Sequence, residues 1–343
     1  MKEARPPRVQ AADAIRRLVG FVGAENLSLL FALAIVVVLI AAQNSRFFLP
    51  ANLLNIGGNV SVVGLLALGE TVVILAGALD ISVGSIAGIA SVVGALAVTS
   101  SGAMQLGIVG GILAGLLFGV VNGLIITVLR VNAVIATLAT LSAFQGVAFL
   151  IAPNGKPVGV LDRDFAWLGS GRILSSETFV GIPISLIILL VVAVAAHVLM
   201  RYTQFGRSVY AMGGNAAAAR LAGINVNGMK IAIFGLSGAV AGLAGVISTA
   251  RTTSGQPGLG SQGLELEAIT AVFLGGAALT GGKGTIAATM LAVVLIGTLS
   301  NGMNLLGIQT FYQDVAKGLL LVVAVAIGQW RAARAERART RLA

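Results

Sequence analysis

The chain has 343 residues, a formal net charge of +10 and a single histidine, and 57% of its residues are hydrophobic against 10% charged. Soluble domains carry about 25% charged residues, so this composition, with a mean hydropathy of +0.99, excludes an ordinary soluble fold and places the chain in a bilayer. Cysteine is absent, which removes disulfides, thiol nucleophiles and thiolate metal sites.

A spanning helix needs roughly 20 mostly apolar residues, and the long Ala/Leu/Val/Ile/Gly blocks do not alternate as barrel strands would. The expected fold is therefore all-α and polytopic, with about ten transmembrane helices, some of them broken or re-entrant. In chain order the expected spans are 28–42, 58–78, 83–99, 105–129, 133–152, 180–200, 229–249, 266–280, 285–300 and 311–330. They divide the chain into a basic tail over 1–27, a membrane domain over 28–330 and a second basic tail over 331–343. The first apolar block runs from Ser28 to QNSRFFLP without a small-residue cleavage site, so it reads as a first span rather than a secretory signal.

Ten spans from a cytoplasmic N-terminus put sixteen basic residues inside: Lys2, Arg5, Arg8, Arg16, Arg17, Arg130, Arg201, Arg207, Arg220, Lys230, Lys283, Arg331, Arg334, Arg337, Arg339 and Arg341. The other side receives five, Arg46, Lys156, Arg163, Arg172 and Arg251, and Lys317 falls within the last span. This is the bias of a membrane protein with both termini cytoplasmic. Its basic tails face anionic lipid headgroups, and no soluble domain is left to hold nucleic acid.

The first interruption is LAGALDISVGSIAG, Leu75 to Gly88. Its glycines weaken a helix, and Asp80, Ser82 and Ser85 are able to accept hydrogen bonds from the N–H groups opening the next one. The stretch reads as a helix break held by its own cap, beside a solute path. Next, Gly107, Gly111, Gly115, Gly119 and Gly123 recur every fourth residue, a stripe along which a neighbouring helix packs closely, within one subunit or between two. Two long polar loops follow. The outer one spans 153–183 and carries Trp167; the cytoplasmic one, 201–230, has Gly213, Gly214 and Asn215 before a short Ala-rich helix that Gly223 stops. With Arg220 projecting, that helix is either a docking element or a connector.

GAALTGGKGT, Gly276 to Thr285, resembles a phosphate loop but fails it, because Ala277 stands where glycine is needed and Gly284 follows Lys283. Against the first interruption, residues 77–87 and 277–287 share five identities in eleven, with Ser85 opposite Thr285. A true repeat would build two discontinuous helices. No catalytic constellation surrounds His197, and no catalytic or metal-ligating residue is assigned. The polar residues within spans are Glu70, Asp80, Asn122, Gln145, Glu265, Glu267, Asn301, Asn304, Gln313, Asp314 and Lys317. Asp314 and Lys317, three apart, are expected to pair. Amides both donate and accept, which suits a path for hydroxyl-rich neutral solutes; Asn122, Gln145, Asn301 and Asn304 either line such a path or join helices.

Taken together, YAMGGNAAAARLAGINV, ALGETVVILAGALDISVGS, ITAVFLGGAALTGGKGT and GTLSNGMNLLGIQTFYQDVAKG resemble, in order over about 45–328, the ribose/xylose-type permeases of bacterial ABC importers. The chain departs from that pattern at Ala78, at Asn132-Ala133 and at Gln145. The resemblance implies a multi-pass inner-membrane subunit that pairs with a second permease chain, receives a small sugar from a periplasmic solute-binding protein and is driven by a cytoplasmic ABC ATPase. ATP and Mg would sit on that ATPase, with no cofactor in this chain. By the same resemblance Gly213, Gly214, Asn215, Arg220, Leu221 and Gly223 belong to the segment that couples to it. Pentoses, hexoses and polyols are the first solute class; nucleosides or furanosyl signalling molecules, carried by related permeases, are the alternative. An ion-coupled carrier is the reading outside this family, and it would leave the docking loop without a purpose.

Overall fold

A computed structural model describes residues 24–176 and 179–340; the basic N-terminal residues up to 23 and the last three residues lie outside the described set. Nine of its helices are long and apolar enough to cross a membrane. These are α1 (Ala24–Gln43), α2 (Pro50–Leu75), α3 (Val83–Ser101), α4 (Met104–Val128), α5 (Ala133–Ile151), α7 (Ile184–Tyr202), α10 (Val226–Thr252), α12 (Ile286–Leu305) and α13 (Thr310–Thr340). The shorter α6 (Arg163–Ser170), α8 (Gln204–Gly214), α9 (Ala216–Leu221) and α11 (Leu264–Leu274) complete the order.

The eighth expected span is not a continuous helix. α11 has 11 residues, which at about 1.5 Å per residue covers half a bilayer core. The other half of that crossing is the strand Ser254–Gly255, paired antiparallel with Val158–Gly159, and the 3-10 turn Pro257–Ser261. This irregular stretch runs beside α3, with Gly260 against Ser85 and the Pro257 carbonyl against Gly88. Proline and glycine spacing forbids an α-helix here, and burial against α3 makes irregular backbone tolerable at membrane depth.

Two boundaries also differ from expectation. α2 starts at Pro50 rather than at 58, since proline suits the first helical position, and this brings Asn52 and Asn55 onto the helix that carries Asn59. At the other end α13 continues through residue 340, so the expected tail begins as helix. Lys317 pairs with Glu267 of α11 instead of Asp314. Asp314 is exposed, and the half-buried Glu267 has more to gain from a counter-charge.

α2 is the axis of the bundle, packed against α3, α7, α10, α11 and α12. From Leu65 to Leu75 it is buried on every side, which matches a helix apolar all round. The glycine stripe of α4 forms a seam within the chain: Gly115 and Gly119 meet Gly238, Gly242 and the Phe234 carbonyl of α10, while Gly111 meets Ala90 and Val246 and Gly123 meets Ile231. Contacts of this kind are dispersion forces, lost once a side chain parts the backbones. Gly119→Leu is therefore expected to prevent recovery of monodisperse protein in detergent, whereas Gly110→Ala on the same helix, whose methyl would sit 3.7 Å from Ala97 Cβ, should purify normally by size-exclusion chromatography.

Candidate functional site

The break between α2 and α3 is a turn whose polar side chains, Asp80 and Ser82, lie away from solvent. α2 ends where Gly77, at φ +79°, donates its N–H to Ile74 O while the Ala78 N–H reaches Val73 O, the paired bonds of a left-handed C-terminal cap. The chain then turns back along α2, so that the Asp80 N–H meets Glu70 Oε1 at 3.1 Å. Asp80 Oδ1 accepts from the Ser82 N–H at 3.0 Å and the Ser82 hydroxyl at 2.6 Å, and Asn122 Nδ2 of α4 donates to Ser82 Oγ at 2.7 Å. Thr137 of α5 closes the turn by donating to Leu79 O at 3.2 Å. Three helices are thus tied to one seven-residue segment.

The capping differs from expectation. Asp80 does bind an N–H at the helix entrance, but Ser82, at the N-cap position, makes no side-chain cap bond. Ser85 Oγ donates to the Ser82 carbonyl instead of accepting. Asp80, Ser82 and Asn122 are fully buried, and one oxygen each of Glu70, Asp80 and Asn122 has no hydrogen-bond partner. Such groups are costly in a bilayer unless they are paired.

A second break, between α11 and α12, repeats the first. Gly276, at φ +84°, donates to Phe273 O and Ala277 to Val272 O, the same pair of cap bonds as at Gly77 and Ala78. Thr285 Oγ1 accepts from Ala288 N at 3.2 Å and so caps α12. The equivalence therefore sets Gly77 opposite Gly276 and Ser82 opposite Thr285, not Ser85 opposite Thr285. The second loop is longer by four residues, which an ungapped comparison of residues 77–87 with 277–287 cannot register.

Between the two breaks sits the end of α8. The Gly282 N–H donates to Leu75 O at 2.9 Å. A methyl group on Gly213 would overlap that Leu75 carbonyl and approach Gly282 N to 2.6 Å, and one on Gly281 would lie 2.7 Å from Gly77 Cα and 3.0 Å from Gly213 Cα. Three backbones thus meet at a junction only glycine permits. Beyond it Asn215 Oδ1 caps α9 through Ala218 N at 3.0 Å. Gly223, at φ +86°, ends that helix, its N–H donating to Arg220 O at 3.0 Å. Arg220 is exposed and Leu221 is 91% exposed. Tyr210 of α8 adds a bond from its hydroxyl to Gly284 O at 3.0 Å, and burial pushes its phenol up, so the proton stays in that bond.

At the opposite end Asn301 and Asn304 belong to a separate group. Asn301 and Asn52 exchange amide hydrogen bonds of 2.9 and 3.0 Å, and Gln313 Nε2 donates to Asn304 Oδ1 at 2.8 Å. With Asn59 and Ser300, Asn301 and Asn304 border a cavity of about 330 Å3 between α2 and α12, whose other walls are aliphatic. Arg251 is bound to Gly58 O and Asn59 Oδ1, and Arg172 to Asn55 Oδ1, so the nearby cations are engaged by backbone and amides. Asn52, Asn55 and Asn59 escaped sequence reasoning, although their spacing of three and four residues is helical. Gln145 joins neither group; it is half-buried on α5 with no hydrogen bond among the described residues. No group of three or more acidic or histidine side chains placed to hold a metal ion occurs among the described residues.

Residues 52–325 match the family described as branched-chain amino acid transport system / permease component. The chain belongs to this permease family. The permease is 41% identical to the ribose import permease protein of Bacillus subtilis, over 90% of this chain and 94% of the relative. It is 39% identical to the ribose import permease protein of Escherichia coli K12, over 87% of this chain and 92% of the relative. To the L-arabinose transport system permease protein of E. coli K12 the identity is 38%, over 88% and 89%. No solved structure matches the chain. The permease is accordingly a multi-pass membrane transport component.

Proposed function

We propose that the permease is the transmembrane subunit of an ATP-driven importer carrying a small sugar, a pentose first, from periplasm to cytoplasm by alternating access. The observation that carries this reading is the similarity to ribose and arabinose permeases over nearly nine-tenths of the chain or more. The cavity chemistry supports it. Amides and a hydroxyl beside aliphatic walls match a solute with several hydroxyls and a C–H face. An amino acid, the solute in the family description, would call for fixed charges to meet its ammonium and carboxylate, and the lining has none.

In this proposal ATP and Mg are held by a partner ATPase, because the chain carries no phosphate loop. That ATPase receives α9, with Leu221 as the apolar anchor and Arg220 beside it, and the Gly213 junction passes the motion to both helix breaks. A second permease chain completes the path, and a periplasmic binding protein meets the outer loop, where Leu161 is 97% exposed and Trp167 half-exposed. Two arrangements separated by a few kcal/mol are enough for nucleotide state to select between them.

The test is uptake by a strain that lacks its own pentose permeases and expresses this chain with its cognate ATPase and binding protein. Labelled ribose or arabinose should accumulate, competed by the other pentose and not by leucine. Accumulation of leucine or of a nucleoside with no response to pentoses would overturn the sugar assignment.

A further inference from the structure

A second cavity, of about 320 Å3, lies at the arginine-rich end between α7, α8 and the start of α12. Its walls include His197 and Arg201 from α7, Arg207 and Tyr210 from α8, and Thr285. At roughly 30 Å3 per water it holds about ten waters' volume, ample for a phosphodiester headgroup. Among the described residues no carboxylate forms an ion pair with either guanidinium, and no acidic side chain lines the cavity. The Tyr210 hydroxyl hydrogen is committed to Gly284 O, and of the other donors on the wall, the His197 ring N–H, the Thr285 hydroxyl and the two guanidiniums, the guanidiniums are the ones with a permanent charge.

The surface leading to the cavity identifies the ligand. Leu190, Val191, Val194 and Val198 of α7 are exposed and fall on one helical face, an apolar stripe that ends beside His197. Tyr202, exposed at the end of α7, packs edge-on to His197 with ring centroids 6.2 Å apart, the aromatic placement found at a membrane–water boundary. A stripe for acyl chains therefore leads into a pocket for an anion. A protein partner docking from the water phase would contact the pocket and leave the stripe unused.

We propose that this cavity seats the phosphate of an anionic phospholipid, held by Arg201 and Arg207, with its acyl chains along the α7 stripe. Basic pockets between spans on the cytoplasmic side suit such headgroups. Because α8 carries Gly213 in its last turn, a bound headgroup would brace the element that joins the two helix breaks. The inference requires only that the permease spans a membrane, so it stands or falls independently of the transported solute.

The test is native mass spectrometry of the full permease exchanged into mixtures of phosphatidylglycerol and phosphatidylcholine. The wild type should retain phosphatidylglycerol preferentially. Arg201→Gln with Arg207→Gln should lower that retention roughly thirtyfold, about fivefold for each arginine near an anionic surface. Arg201→Lys with Arg207→Lys should keep most of it, and Arg130→Gln, a charge at the same end outside the cavity, should change nothing. Equal retention of both lipids by the wild type, unchanged retention in the double glutamine variant, or equal loss in Arg130→Gln would overturn the proposal. Displacement by millimolar inorganic phosphate with no discrimination between the lipids would make this a free-anion site and overturn the lipid assignment. So would loss of ATPase copurification in the double glutamine variant with lipid retention intact, which would assign the cavity to the ATPase.

Discussion

Gly213→Ala should abolish uptake in reconstituted vesicles while the partner ATPase still copurifies with the permease. The added methyl would sit on the Leu75 carbonyl and crowd Gly282 N, so α8 would have to withdraw from both breaks. The exposed Arg220 and Leu221 side chains of α9 are not themselves altered, and ATP hydrolysis should continue without transport. Gly214→Ala is the matching control, because a methyl there meets nothing within 4 Å. Retained uptake by Gly213→Ala would show that the close approach of the three backbones is not needed for coupling. Loss in both variants would point to a need for loop flexibility instead of packing.

Asp80→Ala should bring uptake to background and lower the unfolding temperature in detergent. It leaves the N–H and hydroxyl of the fully buried Ser82 without their acceptor, at about 1–3 kcal/mol for each stranded group. Asp80→Asn should retain folding and a large part of uptake. Its side-chain carbonyl still accepts both bonds, and the replacement removes one of two carboxyl groups buried beside each other without a cation among the described residues. Thermal scanning with uptake on the same preparations separates the two effects. Normal transport by a well-expressed Asp80→Ala protein would mean that the turn is held by backbone and packing alone. Inactive Asp80→Asn with wild-type stability would instead assign the negative charge itself a part in the transport cycle.

These residues differ in how far they could be read in advance. The break at Asp80 was legible, since an acid, two serines and three glycines in an uncharged stretch are locally anomalous. Asn215 and Gly223 were legible as well, because a helix cap is a relation between residues three or four apart. The α4 glycines were visible as a stripe, but the partner helix was not: α10 carries a similar stripe at 235, 238, 242 and 245, and composition does not say which glycine-rich helices meet. The outer asparagines were missed for a different reason. Asn52 and Asn55, after a proline, look like a loop until the helix is seen to begin at Pro50, and Asn59, at the edge of the expected span, joins them only then. Lys317 was assigned to the nearest acid in the chain, Asp314, when the pairing acid lies fifty residues away at Glu267.

What the sequence by itself determined is the bilayer, the helical class, the break at Asp80 and the caps of α9 at Asn215 and Gly223. Each follows from hydropathy or from bonds within one turn, which neighbouring residues set without regard to the rest of the chain. Tertiary structure alone decided which half of the eighth crossing is irregular and that it lies against α3, that Glu70 faces Asp80, and that Gly213 lies between Leu75 and Gly282. In hydrocarbon, burying an apolar side chain against protein or against lipid costs about the same, so apolar pattern carries little information about partners. The choice falls to backbone approach and to buried hydrogen bonds, and both exist only once helices distant in sequence have packed.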